Sequence, residues 1–396
     1  MQTVVLAAGR GAGMRPLTDR RPKPMLPVGD RPLLAHVLDA AVGAGAERFV
    51  VVVGFEADAI RDHFGDEYRG VAIDYAVQQR RRATADAVLS AREHLEPAPF
   101  VVLNGDTLYD PADLADLYAG SAAVAGFRVE DPAGHDVLRT DGDLVTGVVG
   151  APEDPASDLV DAGAYAFPAG ALEGVAAQEA ERGERDLTDV LSRVCRENDV
   201  RAVRVGRWRT VDRPWELLSA NEAVLSDLDR SIRGRRNVDG DADLRGNVVV
   251  AEDAVVERGA VVEGPVLVRA GAEVGPNAYV RGPTLLGRDV RVGHATEVHA
   301  SVLMSGSTVD RLSYVGHSVV GRNADFGTGT VVDDEGRDGE AVEVAVNNTL
   351  VSTGRERFGI VCGDDVSTGV HTSVDAGVKL SSGTGTASGE VVTGDR

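Results

Sequence analysis

Residues 7–27 read AAGRGAGMRPLTDRRPKPMLP, a stretch that crowds three glycines, four arginines and one lysine behind the first apolar run. Glycine frees the backbone to approach a ligand, and backbone N–H groups combined with cations suit an anion such as phosphate. Only Lys23 and Lys379 of the 41 basic residues are lysines. A compact ammonium at 23, in a chain that otherwise uses arginine, marks a place where a planar guanidinium does not serve. A second polar cluster, Asn104-Gly105-Asp106, follows a later apolar run and adds a carboxylate. Other chemistries are not indicated. Cys195 and Cys362 form no CxxC or Cys/His cluster, which fits a reducing compartment and a packing role, and no Ser/His/Asp set is visible.

The elements that must position these groups fall into two rhythms. Apolar runs at Thr3–Ala7, Phe49–Val53, Val71–Val77 and Phe100–Leu103 alternate with helical patterns at Leu33–Val42, Ala59–Phe64 and Ala85–Leu95. The order implies a mostly parallel sheet with helices on both faces, an α/β Rossmann-like domain over residues 1–213. Ligands of such sheets bind beyond the carboxyl ends of the strands, so the glycine stretch and Asn104–Asp106 are expected to face one crevice. A helical connector, PWELLSANEAVLSDLDRSIRGRR, covers 214–236.

From 237 to 396 apolar residues recur every sixth position, from Leu244 through Val250, Val256 and Val262 to Val298 and Met304. The phase slips by one residue and resumes at Val309, Val315, Phe326 and Val332, then at Ile360, Val366 and Val378. A period of six fits neither helix nor alternating strand; it suits a solenoid with three flat faces per coil, each sending one side chain inward. The segment Asp333–Glu343 interrupts the repeat, as insertions that carry binding sites often do.

The net charge of −22 disfavours nucleic acid and anionic membrane as partners and fits an acidic surface solvated in high salt, as in a halophile. No run of eighteen apolar residues occurs, and the first apolar run is too short for a signal peptide, so a soluble cytoplasmic protein is expected.

LAAGRGAGMRPLTDRRPKPMLPVGDRPLL resembles the signature of the sugar-1-phosphate nucleotidylyltransferases, the NDP-sugar pyrophosphorylases. With its hexapeptide repeats, including LSYVGHSVVGRNADFGTGT and STGRERFGIVCGDDVSTG, the whole chain is similar to the bifunctional archaeal and bacterial enzymes that couple glucosamine-1-phosphate acetylation to uridylylation. The resemblance implies a nucleotidyltransferase domain followed by a left-handed parallel β-helix, a homotrimer, and Mg²⁺ and acetyl-CoA as cofactors. It implies that a nucleoside triphosphate, UTP or dTTP, and a hexose-1-phosphate give an NDP-sugar and pyrophosphate. Ala7, Ala8, Gly9, Gly11, Gln78, Thr84 and Gly105 then fall on the nucleotide, Lys23 on the sugar phosphate and Asp106 on the first metal position. Asp161, Gly163, Arg281 and Tyr314 fall on sugar or sugar phosphate.

Several positions depart from the pattern. Gly13 stands where an arginine contacts pyrophosphate, and Arg15 is the expected substitute. Thr210 stands at the second metal aspartate, with Asp212 two residues on. The base-contacting Gly-Thr-Ala reads Ala83-Thr84-Ala85, the Glu-Lys-Pro reads Gly150-Ala151-Pro152, and Asp161 replaces an asparagine. In the β-helix the general-base histidine is Arg311, which cannot accept a proton at neutral pH. His299 replaces a lysine, and Asp325 and Asp334 replace asparagines and are the candidate proton acceptors. His317 is expected to project from a neighbouring face as a lone surface residue, and His294 and His299 to sit at the surface or at corners. Two alternatives to the family activity remain open: a catalytically impaired regulatory or sugar-nucleotide-binding paralogue assembled with an active relative, and an acyltransferase of altered specificity.

Overall fold

Val4 and Val5 of the strand Gln2–Leu6 are both wholly buried, on opposite faces of one sheet. The same alternation along Arg48–Val53 and Phe100–Asn104 builds two cores. Helices Leu33–Ala44, Ala57–Phe64 and Pro111–Tyr118 cover the face of Val5, Val51 and Leu103. Helices Thr84–Ser90 and Leu187–Glu197 cover the face of Val4, Val50 and Val102. Near-continuous apolar strands are what a sheet covered on both faces requires.

The structure, a computed structural model, describes residues 1–78, 84–120, 122–173, 187–229, 231–232, 234–347 and 349–396. The chain divides into two compact units: 1–10, 21–25 and 32–210 form the first, and 11–20, 26–31 and 211–396 the second. Residues 7–27 are therefore divided between the units.

In the first unit the strands Val71–Val77, Arg48–Val53, Gln2–Leu6 and Phe100–Asn104 lie side by side and parallel. Beyond Phe100–Asn104 the sheet turns antiparallel through Leu159–Phe167 and Ala123–Arg128, so the mostly parallel sheet expected from the element order is a mixed one. The reason lies in the returns: Leu159–Phe167 re-enters the sheet between two earlier strands, a long-range choice that no local pattern announces. Among the described residues no helix is long and apolar enough to cross a membrane.

In the second unit helix Pro214–Ser226 precedes a left-handed β-helix whose three parallel sheets wrap a single core. Strands in each sheet pair 18 residues apart at first, as in Val262 with Val280, 17 apart in the middle coils, as in Val298 with Val315, and 18 apart again at the end, as in Val374 with Val392. The six-residue positions from Val250 to Val298 are buried as expected. At the slip the stacked residue is Leu303 rather than Met304: Leu303 pairs with Leu286 and Val320 and lies in the core, whereas Met304 is buried outside it. Cys362 fills an inward position, pairing with Val320 and Leu380, and burial raises its thiol pKa. The interruption extends from Asp333 to Gly359 and contains the hairpin Glu343–Val346 with Thr349–Ser352.

Candidate functional site

Leu6 and Asn104 are register partners at the carboxyl ends of adjacent parallel strands, so the residues leaving both strands emerge together, as the sequence suggests. Gly105 makes this possible: its N–H donates to the Leu6 carbonyl at 3.0 Å, and a Cβ on it would stand 2.5 Å from that oxygen. Gly54 closes in the same way on Ala8, where a Cβ would lie 2.8 Å from the Ala8 carbonyl. Ala7 and Ala8 are buried and Gly9 is exposed, which leaves the start of the loop open above the strand ends.

Lys23 reaches this rim from the short 3-10 turn Lys23–Met25. Its Nζ lies 2.6 Å from Asp106 Oδ2, with the Lys23 side chain 8% exposed and that of Asp106 29%. A buried ammonium needs a carboxylate partner, and Asp106 is that partner while keeping an edge open to solvent. Gln78 joins the rim through its N–H, which donates to the Val53 carbonyl at 2.9 Å, and Thr84 is exposed at the start of its helix. Ala83 lies outside the described residues.

Asp161 is engaged within its own strand. Its Oδ1 accepts the Gly163 N–H at 2.8 Å and its Oδ2 the Tyr165 hydroxyl at 2.6 Å, at an irregularity in the pairing with Ala123–Arg128. An acceptor-only carboxylate suits both bonds. Gly163, at φ +72°, sits where a Cβ would run into the Asn104 amide, and the Tyr109 hydroxyl donates to its carbonyl at 2.8 Å. Burial raises the pKa of both tyrosines well above the ordinary value, so both remain neutral donors.

Thr210 ends the strand Trp208–Thr210 and pairs with Thr107, the residue after Asp106. Asp212 is not on that strand, so the alternation that places residues i and i+2 on one face does not extend to it. Asp212 is exposed in the second unit, where its N–H donates to Glu216 Oε2 at 2.6 Å in the turn that starts helix Pro214–Ser226.

Gly11 and Arg15 also belong to the second unit. Gly11 takes φ +63°, which glycine adopts without strain, and its carbonyl accepts the Thr18 hydroxyl at 2.7 Å. Arg15 points outward, its side chain 56% exposed and paired to Asp19 at 3.5 Å. The cation over the loop is another residue. The Arg213 guanidinium occupies the position a Cβ on Gly13 would take, and the Asp212 carbonyl stands 2.7 Å from that position. The loss of a side chain at 13 and the presence of arginine at 213 thus fill one space. The signal was available as glycine in an arginine position, but no local rule connects residues 200 apart.

In the β-helix, Arg281 and His299 are register partners one coil apart, and Tyr314 pairs with Glu297. His317 is not a lone surface residue. Its ring centroid lies 4.6 Å from that of His299, its side chain is 14% exposed, and its Nε2 is 3.8 Å from Asp334 Oδ2. His317 follows Gly316, the register partner of His299 on the next coil, and Asp334 lies one further 17-residue coil on; the expectation failed because it was drawn from the six-residue face instead of the whole turn. The Tyr314 hydroxyl donates to Asp334 Oδ2 at 3.1 Å. Burial lowers both histidines to about 4, helped for His299 by His317 and for His317 by Arg355, and burial with Asp334 raises Tyr314 to about 12. Asp325 and Arg311 are exposed and take no part in this cluster. His294 is exposed at a corner, as expected, with Nδ1 2.9 Å from the Pro276 carbonyl.

Comparison with known proteins agrees with this layout. Residues 2–227 match the family model described as Nucleotidyl transferase, and residues 262–380 that described as GMPPB C-terminal domain. The chain is 33% identical over 385 residues to the bifunctional protein GlmU of Methanocaldococcus jannaschii, covering 96% of this chain and 92% of that one. It is 30% identical over 389 residues to the bifunctional sugar-1-phosphate nucleotidylyltransferase/acetyltransferase of Sulfurisphaera tokodaii, covering 96% and 94%. To the UTP–glucose-1-phosphate uridylyltransferase AglF of Haloferax volcanii it is 36% identical over 220 residues, 53% of this chain and 90% of that one.

Proposed function

Because the chain belongs to the nucleotidyl transferase family, we propose that it transfers a nucleotidyl group from a nucleoside triphosphate to a sugar-1-phosphate, releasing pyrophosphate, within nucleotide-sugar biosynthesis. The observation that carries this reading is the Lys23–Asp106 pair at the carboxyl ends of two adjacent parallel strands. The sugar phosphate oxygen attacks the α-phosphorus, and the bond to the pyrophosphate oxygen breaks. Charge must be offset at three places: the attacking phosphate, the α-phosphate and the leaving pyrophosphate.

Lys23 supplies one positive charge at a fixed place, oriented by Asp106. The Asp106 carboxylate, partly open to solvent, fits a divalent ion: Mg²⁺ takes one or two protein carboxylates and completes its shell with phosphate oxygens and water. When bound there, the ion would neutralise phosphate charge; Asp106 is the residue of this unit that would hold it. Among the described residues nothing lies within 4 Å of a Cβ built on Gly9, which leaves room for a nucleotide to lie against the strand ends.

We assign the cation of the Gly11–Met14 turn to Arg213 rather than Arg15, because Arg213 covers Gly13 while Arg15 faces outward with Asp19. Arg213→Ala is expected to lower kcat/KM by one to two powers of ten, about the loss of a single charge-stabilising donor, and Arg15→Ala by less than threefold. Gly13→Arg alone puts two guanidiniums into one space and loses activity; combined with Arg213→Gly it recovers part of it, the Asp212 carbonyl still standing 2.7 Å from the new Cβ. Steady-state pyrophosphate release checks all four variants, and an Arg15→Ala loss larger than that of Arg213→Ala overturns the assignment.

The β-helix is acetyltransferase-like, and acetyl-CoA is the donor the resemblance implies. The exposed Arg311 does not fit the role of proton acceptor, so no acyl-transfer step is derived through it. The test of the main reading is pyrophosphate release at high salt with Mg²⁺, comparing UTP and dTTP against glucose-1-phosphate and N-acetylglucosamine-1-phosphate. Release with one of these pairs supports it; folded protein that releases none with any pair defeats it.

A further inference from the structure

Successive coils of the β-helix carry His299, His317 and Asp334 to one corner, where one ligand atom from each lies within 4.8 Å of the others. We propose that these three side chains bind one divalent transition-metal ion of the zinc class, leaving a coordination position open. This site is separate from the nucleotidyl-transfer reading, none of whose residues it uses.

The donor chemistry is the first argument. Two imidazoles and a carboxylate form a set that zinc and its neighbours favour over Mg²⁺ or Ca²⁺, which prefer oxygen alone. In a tetrahedral zinc site with bonds of about 2.0–2.1 Å the donors stand roughly 3.3 Å apart, so small side-chain rotations bring this set to bonding distance. Three protein donors are the number found where a fourth position is kept for water or substrate.

The second argument is unfulfilled polarity. Among the described residues, His299 Nδ1 and both ring nitrogens of His317 are buried with no hydrogen-bond partner. Leaving such groups unsatisfied costs free energy, which a bound ion would offset for one nitrogen of each ring. Structure around the corner supports the approach of the third donor: a Cβ on Gly316 would collide with the Asp334 carboxylate and lie 2.6 Å from the Tyr314 hydroxyl. Glycine at 316 therefore admits Asp334, and the Tyr314 hydroxyl, donating to Oδ2, orients it as an outer-shell partner does.

Nearby positive charge does not oppose the ion as strongly as the arginines suggest. Arg281 pairs with Glu297 at 3.6 Å, Arg355 with Glu222, and Arg357 with Glu335 as well as with Asp334 at 3.6 Å. Each guanidinium thus has a carboxylate of its own. Arg281 is the register partner of His299 and the Tyr314 hydroxyl bonds Asp334, so an anionic ligand bound by these two would lie close to the ion.

Titration of untagged, chelator-stripped full-length protein with Co²⁺ tests the proposal. Visible d–d bands saturating at one ion per chain and displaced by Zn²⁺ are expected, with a Zn²⁺-dependent rise in the melting temperature. His299→Gln and His317→Gln, prepared separately in case one does not fold, are expected to weaken Co²⁺ binding by at least tenfold, while the corner variant His294→Gln binds as the parent does. Wild-type protein without the bands, or a folded His299→Gln or His317→Gln variant that binds with the parent's affinity, overturns the site.

Discussion

Asp106→Asn is expected to lower the kcat/KM for pyrophosphate release by about two to three powers of ten while leaving the fold intact. The substitution keeps the size and the planar shape of the side chain and removes only its charge. That charge has two tasks. It holds the Lys23 ammonium, 2.6 Å away and nearly buried, and it offers an open oxygen to a divalent ion. With asparagine the lysine loses its counter-charge, so its position and the ion's both weaken.

The fold survives because Gly105, not Asp106, makes the close approach to Leu6, and because the Asp106 side chain is partly solvated. Circular dichroism should therefore stay close to that of the parent, while the unfolding midpoint falls because the nearly buried Lys23 ammonium loses its carboxylate partner. Lys23→Arg separates the two tasks: the carboxylate remains, but a guanidinium does not fit the closed space of an ammonium 8% exposed. Activity of Asp106→Asn within threefold of the parent would place the chemistry on other residues.

Phe326→Ala is expected to destabilise the β-helix by about 3–5 kcal/mol and to lower its melting temperature by on the order of 10 °C. Phe326 is fully buried and is among the largest side chains of that core. It sits at an inward position otherwise held by smaller residues, pairing with Val309 on one side and Thr368 on the other. Each coil buries its interior only against its neighbours, so the space left by the ring cannot be filled from elsewhere. Its loss removes the transfer energy of the ring and leaves a cavity. Thermal unfolding followed by circular dichroism measures the shift; a fall of under 3 °C would mean the coils collapse onto the gap. The variant should leave pyrophosphate release unchanged below its melting point, because Phe326 belongs to neither proposed site.

What the sequence determined alone is what repeats or follows locally along the chain. The inward positions Val250 to Val298 are buried because a six-residue period leaves one side chain per face directed at the axis, whatever lies elsewhere. That the first loop and Asn104–Asp106 both leave the sheet at its carboxyl edge follows from apolar runs that each end in glycine and polar residues. Lys23 stood out because lysine is so rare in the chain.

What tertiary structure decided are contacts whose members lie far apart or whose spacing is that of a whole turn. The mixed sheet depends on where Leu159–Phe167 returns, and this is set by burial of its apolar faces between earlier strands. Arg213 over Gly13 joins residues 200 apart, so the missing arginine at 13 could be read while the group filling its space could not. The meeting of His299, His317 and Asp334 required successive coils of 17 residues to stack in register. A slip of one residue rotates every later side chain relative to its column, and only the packing of the core shows where that slip is taken up: at Leu303, where the coil shortens by one residue to keep each apolar side chain inside.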